Sequence, residues 1–209
     1  MSEALPLQEF TALASEQTLE ALAERLRERN LEVVIVDDGA EARNEVMARL
    51  PAGAEVGSAK SKTLDDIGVF DAVHGAGGYD AIRNRYMKMD RESEGDAIRK
   101  LMASPDFEVG SVHAVTADGV LVIASASSSQ LGPYASGAGK LILVVGSQKL
   151  VPDLETALRR IRDHVLPYED DLVMSRMGVH TIIAKVLLIE REWDAARTTV
   201  ILVREPVGV

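Results

Sequence analysis

Residues 110–152 read GSVHAVTADGVLVIASASSSQLGPYASGAGKLILVVGSQKLVP. Two strand-forming runs, 112–115 and 120–124, flank Asp118-Gly119. Glycine supplies the positive φ that a tight turn needs, so this is a predicted β-hairpin. A third run, 141–145, is apolar at every position. A strand without alternation is one covered on both faces. Between Glu108 and Asp153 the only acid is Asp118, in a chain with 33 Asp and Glu. An acidic protein that strips carboxylates from so long a segment is burying it, or holding an anion against it.

Outward from this segment, helical and extended patterns alternate. Residues 7–29 place Leu19, Leu22, Ala23 and Leu26 on one helical stripe. Residues 31–36 form a predicted buried strand closed by Asp37-Asp38-Gly39, and 40–50 a helix stopped by Pro51. A short strand at 55–58 enters the loop 59–63. Thr63 is placed to cap a helix from Leu64, with Asp65 and Asp66 in its first turn and Gly68 after it. Residues 70–73 read as a strand and His74 to Gly78 as a flexible turn. Residues 79–103 are densely charged and read as exposed helices, a mobile or inserted region. Pro152 is predicted to open a helix through His164. The runs 185–191 and 198–204 read as a second antiparallel pair. The pattern predicts one α/β domain over 1–209, a mixed, mostly parallel sheet covered by helices on both faces.

The composition excludes several classes of function. Net charge is −10, which disfavours nucleic acid and anionic membrane as partners. With no cysteine, disulfides, thiolate zinc sites and cysteine-held iron–sulfur clusters are excluded. MSEALPLQEF has neither a basic start nor an apolar core, and no stretch approaches 18 apolar residues. A cytoplasmic protein is expected.

Local motifs narrow the site. Gly57-Ser58-Ala59-Lys60-Ser61-Lys62-Thr63 lacks the Gly before Lys that a P-loop requires. It still holds three hydroxyls, two of the chain's seven lysines and no acid, just before a helix. That suits an anion site as well as an ordinary capped loop. His74-Gly75-Ala76-Gly77-Gly78 does not match dinucleotide spacing, and no G-x-S-x-G is present. The histidines 74, 113, 164 and 180 have no metal-ligand spacing, so no metal site is expected. The loop 124–139 is rich in small and hydroxyl residues at a strand end, with Ser127, Ser129 and Gln130 its polar candidates. Gln148 and Lys149 follow the next strand in the same way. His113 and Asp118 are the candidate proton-transfer groups, although an Asp beside Gly is most often a turn residue.

In these residues the chain resembles the lactate-utilisation (LUD) domain family, which includes lactate utilisation protein C. The resemblance rests on residues 57–68, on GSVHAVTADGVLVIAS, on LILVVGSQKLVPDLETALRRIRDHVLP, and on KVLLIERE with TTVILVREPVG. It implies the fold shared by ribose-phosphate isomerases and CoA transferases, with a small anion bound at strand ends by the loops of Ser58 to Thr63, Ser127 to Gln130 and Gln148-Lys149. It also implies an accessory role in organic-acid utilisation beside an iron–sulfur oxidoreductase. Iron–sulfur-bearing members commonly carry Thr-Gly-Thr where this chain has Ala117-Asp118-Gly119. A transferase also needs a nucleophilic Glu, which the acid-poor segment does not supply. The alternatives are a stand-alone enzyme on a phosphorylated or carboxylated metabolite, and a non-catalytic interaction module docking through 79–103.

Overall fold

The computed structural model describes residues 8–58, 60–75 and 78–209. Residues 1–7, and with them the reading of the first residues of the chain, lie outside it, as does part of the turn read at 74–78.

The strand run that decides the fold is β7 (Lys140–Gly146), the third strand of a six-stranded sheet. That sheet runs β1 (Glu32–Val36), β10 (Thr198–Val203), β7, β4 (Phe107–Ser111), β2 (Glu55–Ser58) and β3 (Asp80–Ala81). All of its pairings are parallel. The unbroken apolar run of β7 serves two cores. Leu141, Leu143 and Val145 face one, and Ile142 and Val144 face the other. Alternate side chains of a strand point to opposite faces, so a strand between two cores must be apolar throughout. Truncating Leu143 would cost about 2–5 kcal/mol, the usual range for a buried Leu→Ala.

The first core takes Leu22 and Leu26 from α1 (Glu16–Glu28). The second takes Ala42 and Val46 from α2 (Gly39–Arg49), Leu64 from α3 (Lys62–Asp66), and Val69 and Val73 from α4 (Val69–His74). Asp38 caps α2 through a 2.8 Å bond from Glu41 N–H.

The expected hairpin forms. β5 (Ala114–Thr116) pairs antiparallel with β6 (Leu121–Ser125), and Gly119 takes φ +92° in the turn. The hairpin belongs to a second sheet, in the order β8 (Leu150–Val151), β5, β6, β9 (Lys185–Ile189). Its Val115, Leu121 and Ile123 pack on the first core. Its Ala114, Val122 and Ala124 pack on α7 (Leu154–Arg160). The single sheet expected from the sequence is therefore two sheets, one parallel and one mixed.

Four local readings are corrected. Residues 198–203 do not pair with 185–189. β10 is buried at every position and inserts between β1 and β7, whereas β9 is half-exposed and closes the edge of the second sheet. A strand that is apolar on both faces belongs in a sheet interior, so adjacency in sequence loses to burial. Residues 70–73 are helical, because so short an apolar run carries no period of its own. Thr63 caps nothing. Ser61 holds the N-cap position of α3 and Thr63 lies inside the helix with its hydroxyl committed elsewhere. The helix after Pro152 starts at Leu154, capped by Asp153 at 2.7 Å from Thr156 N–H, and does not end at His164. It passes through a π turn at Ile161–Val165 into α8 (Leu166–Met177). Pro167 has no N–H for a carbonyl one turn back, and the widened turn accommodates that gap.

Residues 79–103 contain β3, α5 (Ile82–Tyr86) and α6 (Gly95–Ala103). Among the described residues, no helix is long and apolar enough to cross a membrane.

Candidate functional site

Every strand of the main sheet points its carboxyl end the same way, because all are parallel. Ser58, Ser111 and Gly146 therefore end β2, β4 and β7 at one edge. Open parallel sheets bind ligands at this edge. A cleft of about 840 Å³ lies there, and beside it a recess of about 80 Å³. Lys60, His113, Gln130, Val165 and Glu169 line both, so they border the passage between the two.

Lys149 stands at the recess, 3 % exposed. Its Nζ donates to Thr63 Oγ1 at 2.8 Å, to Ser111 Oγ at 2.9 Å and to the Val112 carbonyl at 3.2 Å. The chain of donors continues from Ser111 Oγ to the Val144 carbonyl at 2.7 Å. Tyr134 steadies Ser111, its hydroxyl accepting from Ser111 N–H at 3.1 Å. No ion pair to Lys149 forms among the described residues. Burial, with the Arg160 charge adding to it and Asp66 opposing, brings its pKa down to about 7.

Arg160 is fully buried, also without an ion pair among the described residues. It donates to the His113 carbonyl at 2.5 Å and to that of Phe10 at 3.4 Å, and its Nε has no partner. Burial lowers its pKa to about 10. His113 lies near both cations. Burial first, then the charges of Lys149 and Arg160, push its pKa down to about 3, so the ring is neutral near pH 7. A buried charge is ordinarily matched by an opposite one. Here two buried basic side chains and a neutral imidazole sit together, and neither Lys149 nor Arg160 forms an ion pair among the described residues.

The other predicted site residues divide. Ser58 lines the cleft, and its Oγ lies 2.7 Å from His74 Nε2. Burial and the Arg83 charge lower the pKa of His74, whose Nδ1 has no partner. Lys60 lies 3.9 Å from Asp65 and over the Phe70 ring at 5.6 Å. Ser61, Lys62 and Thr63 line the recess, and Lys62 is ion-paired with Asp66. Lys62 and Lys149 thus share one hollow. Ser127, Ser129 and Gln130 line the cleft in a hydrogen-bonded loop. Ser127 Oγ donates to Ser129 Oγ at 3.1 Å, and Gln130 Oε1 accepts from Ser125 Oγ at 3.0 Å.

Three candidates lie elsewhere. Gly57 is inside β2, where an added Cβ would collide with the Glu108 carboxylate. Gln148 holds the end of the chain, donating to the Val207 carbonyl at 3.0 Å. Asp118 is in the β5–β6 turn, 3.4 Å from Arg29 and bonded to Thr116, and borders neither hollow.

The sequence reading passed over Glu108, Arg160, Glu169, Ser111 and Tyr134. Glu108 and Glu169 reach the cleft from outside the acid-poor segment. Burial raises the Glu169 pKa above the ordinary carboxylate range, and Arg176 opposes that. The segment 79–103 supplies one wall of the cleft, with Arg83, Tyr86, Ile98 and Met102. No group of three or more His, Asp or Glu that could hold a metal occurs among the described residues.

A search of curated proteins finds no match. Among solved structures, a DUF162 family protein from Deinococcus radiodurans is similar over 92 % of this chain and 99 % of its own, with 11 % identity and a TM-score of 0.46. The LUD domain model matches residues 19–202, nearly the whole chain, and the protein therefore belongs to the LUD domain family.

Proposed function

We propose that the cleft binds a small organic anion, a carboxylate or a phosphate ester, and that the protein serves lactate-type organic-acid utilisation in the cytoplasm as an accessory subunit. One observation carries the reading: Lys149 and Arg160 are buried without an ion pair among the described residues, and Lys149 borders the recess. An entering anion would supply the charge that the fold leaves out. The acid-poor segment has the same logic, since carboxylates at that edge would compete for the cations. A redox step would fall to a partner chain carrying iron–sulfur clusters, because this chain has no cysteine.

A thermal-shift panel of lactate, pyruvate, inorganic phosphate and sugar phosphates tests the binding. A ligand at 100 times its Kd adds about 2.7 kcal/mol of stability. For a chain of this size that is a rise of roughly 5–11 °C in Tm. Lys149→Met and Lys60→Ala should lose the rise and Asp118→Asn should keep it. A panel without any shift, or shifts that survive both lysine changes, would overturn the reading. Affinity purification from native cells tests the partner. Repeated recovery without an iron–sulfur oxidoreductase would contradict the accessory role.

A further inference from the structure

Two residues of the passage, His113 and Glu169, each present a titratable side-chain atom without a hydrogen-bond partner among the described residues. His113 Nδ1 accepts a hydrogen bond from Ala124 N–H at 3.1 Å. In a neutral imidazole this places the ring proton on Nε2. Nε2 has no hydrogen-bond partner among the described residues, and the ring borders both hollows. Glu169, in the first turn of α8, is the only Asp or Glu lining the recess among the described residues. It makes no hydrogen bond or ion pair among the described residues, whereas Asp65 and Asp66 nearby are paired with Lys60 and Lys62. A carboxylate and a neutral N–H donor thus border one passage, beside a buried cation.

We propose that Glu169 and His113 form an enolisation pair acting on a small carbonyl compound that also carries a carboxylate or phosphate. The Glu169 carboxylate takes a proton from the carbon next to the carbonyl. The electron pair of that C–H bond becomes the C=C bond, and the carbonyl π pair moves onto oxygen. His113 Nε2–H donates a hydrogen bond to that oxygen as its negative charge develops. Return of the proton to the same carbon gives exchange. Where that carbon carries a hydroxyl, its O–H proton passes to the enolate oxygen and the O–H bond pair forms the new C=O. The carbon proton is then delivered to the former carbonyl carbon, which gives isomerisation. No oxidant or metal is needed for the balance. The environments set the two roles apart: burial and two cations keep the imidazole neutral, so it donates and does not compete as a base. The anionic end of the substrate is held as in the binding reading above, on which this inference rests.

Deuterium wash-in separates the two. The full chain is incubated in D₂O with pyruvate, or separately with dihydroxyacetone phosphate. Loss of the C–H signal beside the carbonyl is followed by proton NMR, and binding by saturation transfer in the same samples. At least one probe should exchange faster than in buffer. Glu169→Gln, which removes no structural bond, should slow that exchange on the order of 10²–10⁴-fold while the probe still binds. His113→Gln should slow it as well, and Asp118→Asn should match the unaltered chain. A probe that binds without accelerated exchange, or a Glu169→Gln variant that exchanges at the unaltered rate, overturns the enolisation pair and leaves anion binding standing. If neither probe binds, the binding reading is contradicted and the pair falls with it. Exchange of pyruvate alone assigns a carboxylate substrate, and exchange of dihydroxyacetone phosphate alone a phosphate ester; either supports the pair.

Discussion

Lys149 donates a 2.8 Å hydrogen bond to the Thr63 hydroxyl across 86 positions of sequence. The bond joins the chain just past β7 to α3. It seats the Lys149 amine in protein against three oxygen acceptors, without an ion pair among the described residues.

Thr63→Val removes one of those oxygens while keeping the shape of the side chain. A buried donor left unmet costs about 1–3 kcal/mol. Urea denaturation should show a loss of that size, and an unchanged midpoint would mean that the bond carries no stability.

Stability should rise with pH on the basic side. Lys149 has a pKa near 7 in the fold, against an ordinary value of 10.5. Below pH 7 both folded and unfolded chains carry the proton, and the burial penalty is fully present. Between pH 7 and 10.5 the unfolded chain binds more protons, so the fold gains stability as pH rises. His113, with its pKa pushed to about 3 from 6.5, gives the acid limb: stability falls as pH drops from 6.5 towards 3. Lys149→Met should flatten the rise between pH 7 and 10 and only weaken the acid limb, because burial is the larger cause of the His113 shift and the Lys149 charge the smaller. A variant with the same basic slope would contradict the assignment.

Tyr134→Phe should cost about 1–2 kcal/mol, since a buried hydroxyl that accepts from Ser111 N–H is lost. Anion affinity should fall only modestly, because Ser111 keeps its own bond to the Val144 carbonyl. Complete loss of binding in a folded variant would show that Tyr134 touches the ligand.

Asp118→Asn should leave ligand affinity unchanged and move stability by less than about 1 kcal/mol, as for an exposed pair with Arg29. Weaker binding in that variant would place the ligand at the hairpin turn instead of the cleft.

The sequence showed those parts of the fold that rest on burial pattern. The run 141–145 announced a strand between two cores, and Asp118-Gly119 announced a turn. Pairing between distant segments left no such mark. β10 is buried on both faces like β7, yet nothing local says that it lies between β1 and β7. The lining of the candidate cleft was legible where composition was unusual, in the lysine-bearing loop before α3 and the serine loop after β6. Glu169 was invisible because it stands among ordinary helix charges, and only the π turn before Pro167 and the course of α8 bring it to the recess. Arg160 resembled its exposed neighbour Arg159 until the helix was set against β5. The readings at 70–73 and Thr63 failed where a short segment fits two structures equally well.

We propose that an anion completes an unmatched buried cation. Calorimetric titration at pH 8, in two buffers of different ionisation enthalpy, tests it directly. Lys149 is mostly neutral at that pH, and a bound anion raises its pKa, so binding should draw a proton from the buffer. Proton uptake approaching one per site, lost in Lys149→Met, is the predicted result. Binding with equal heats in both buffers would contradict it.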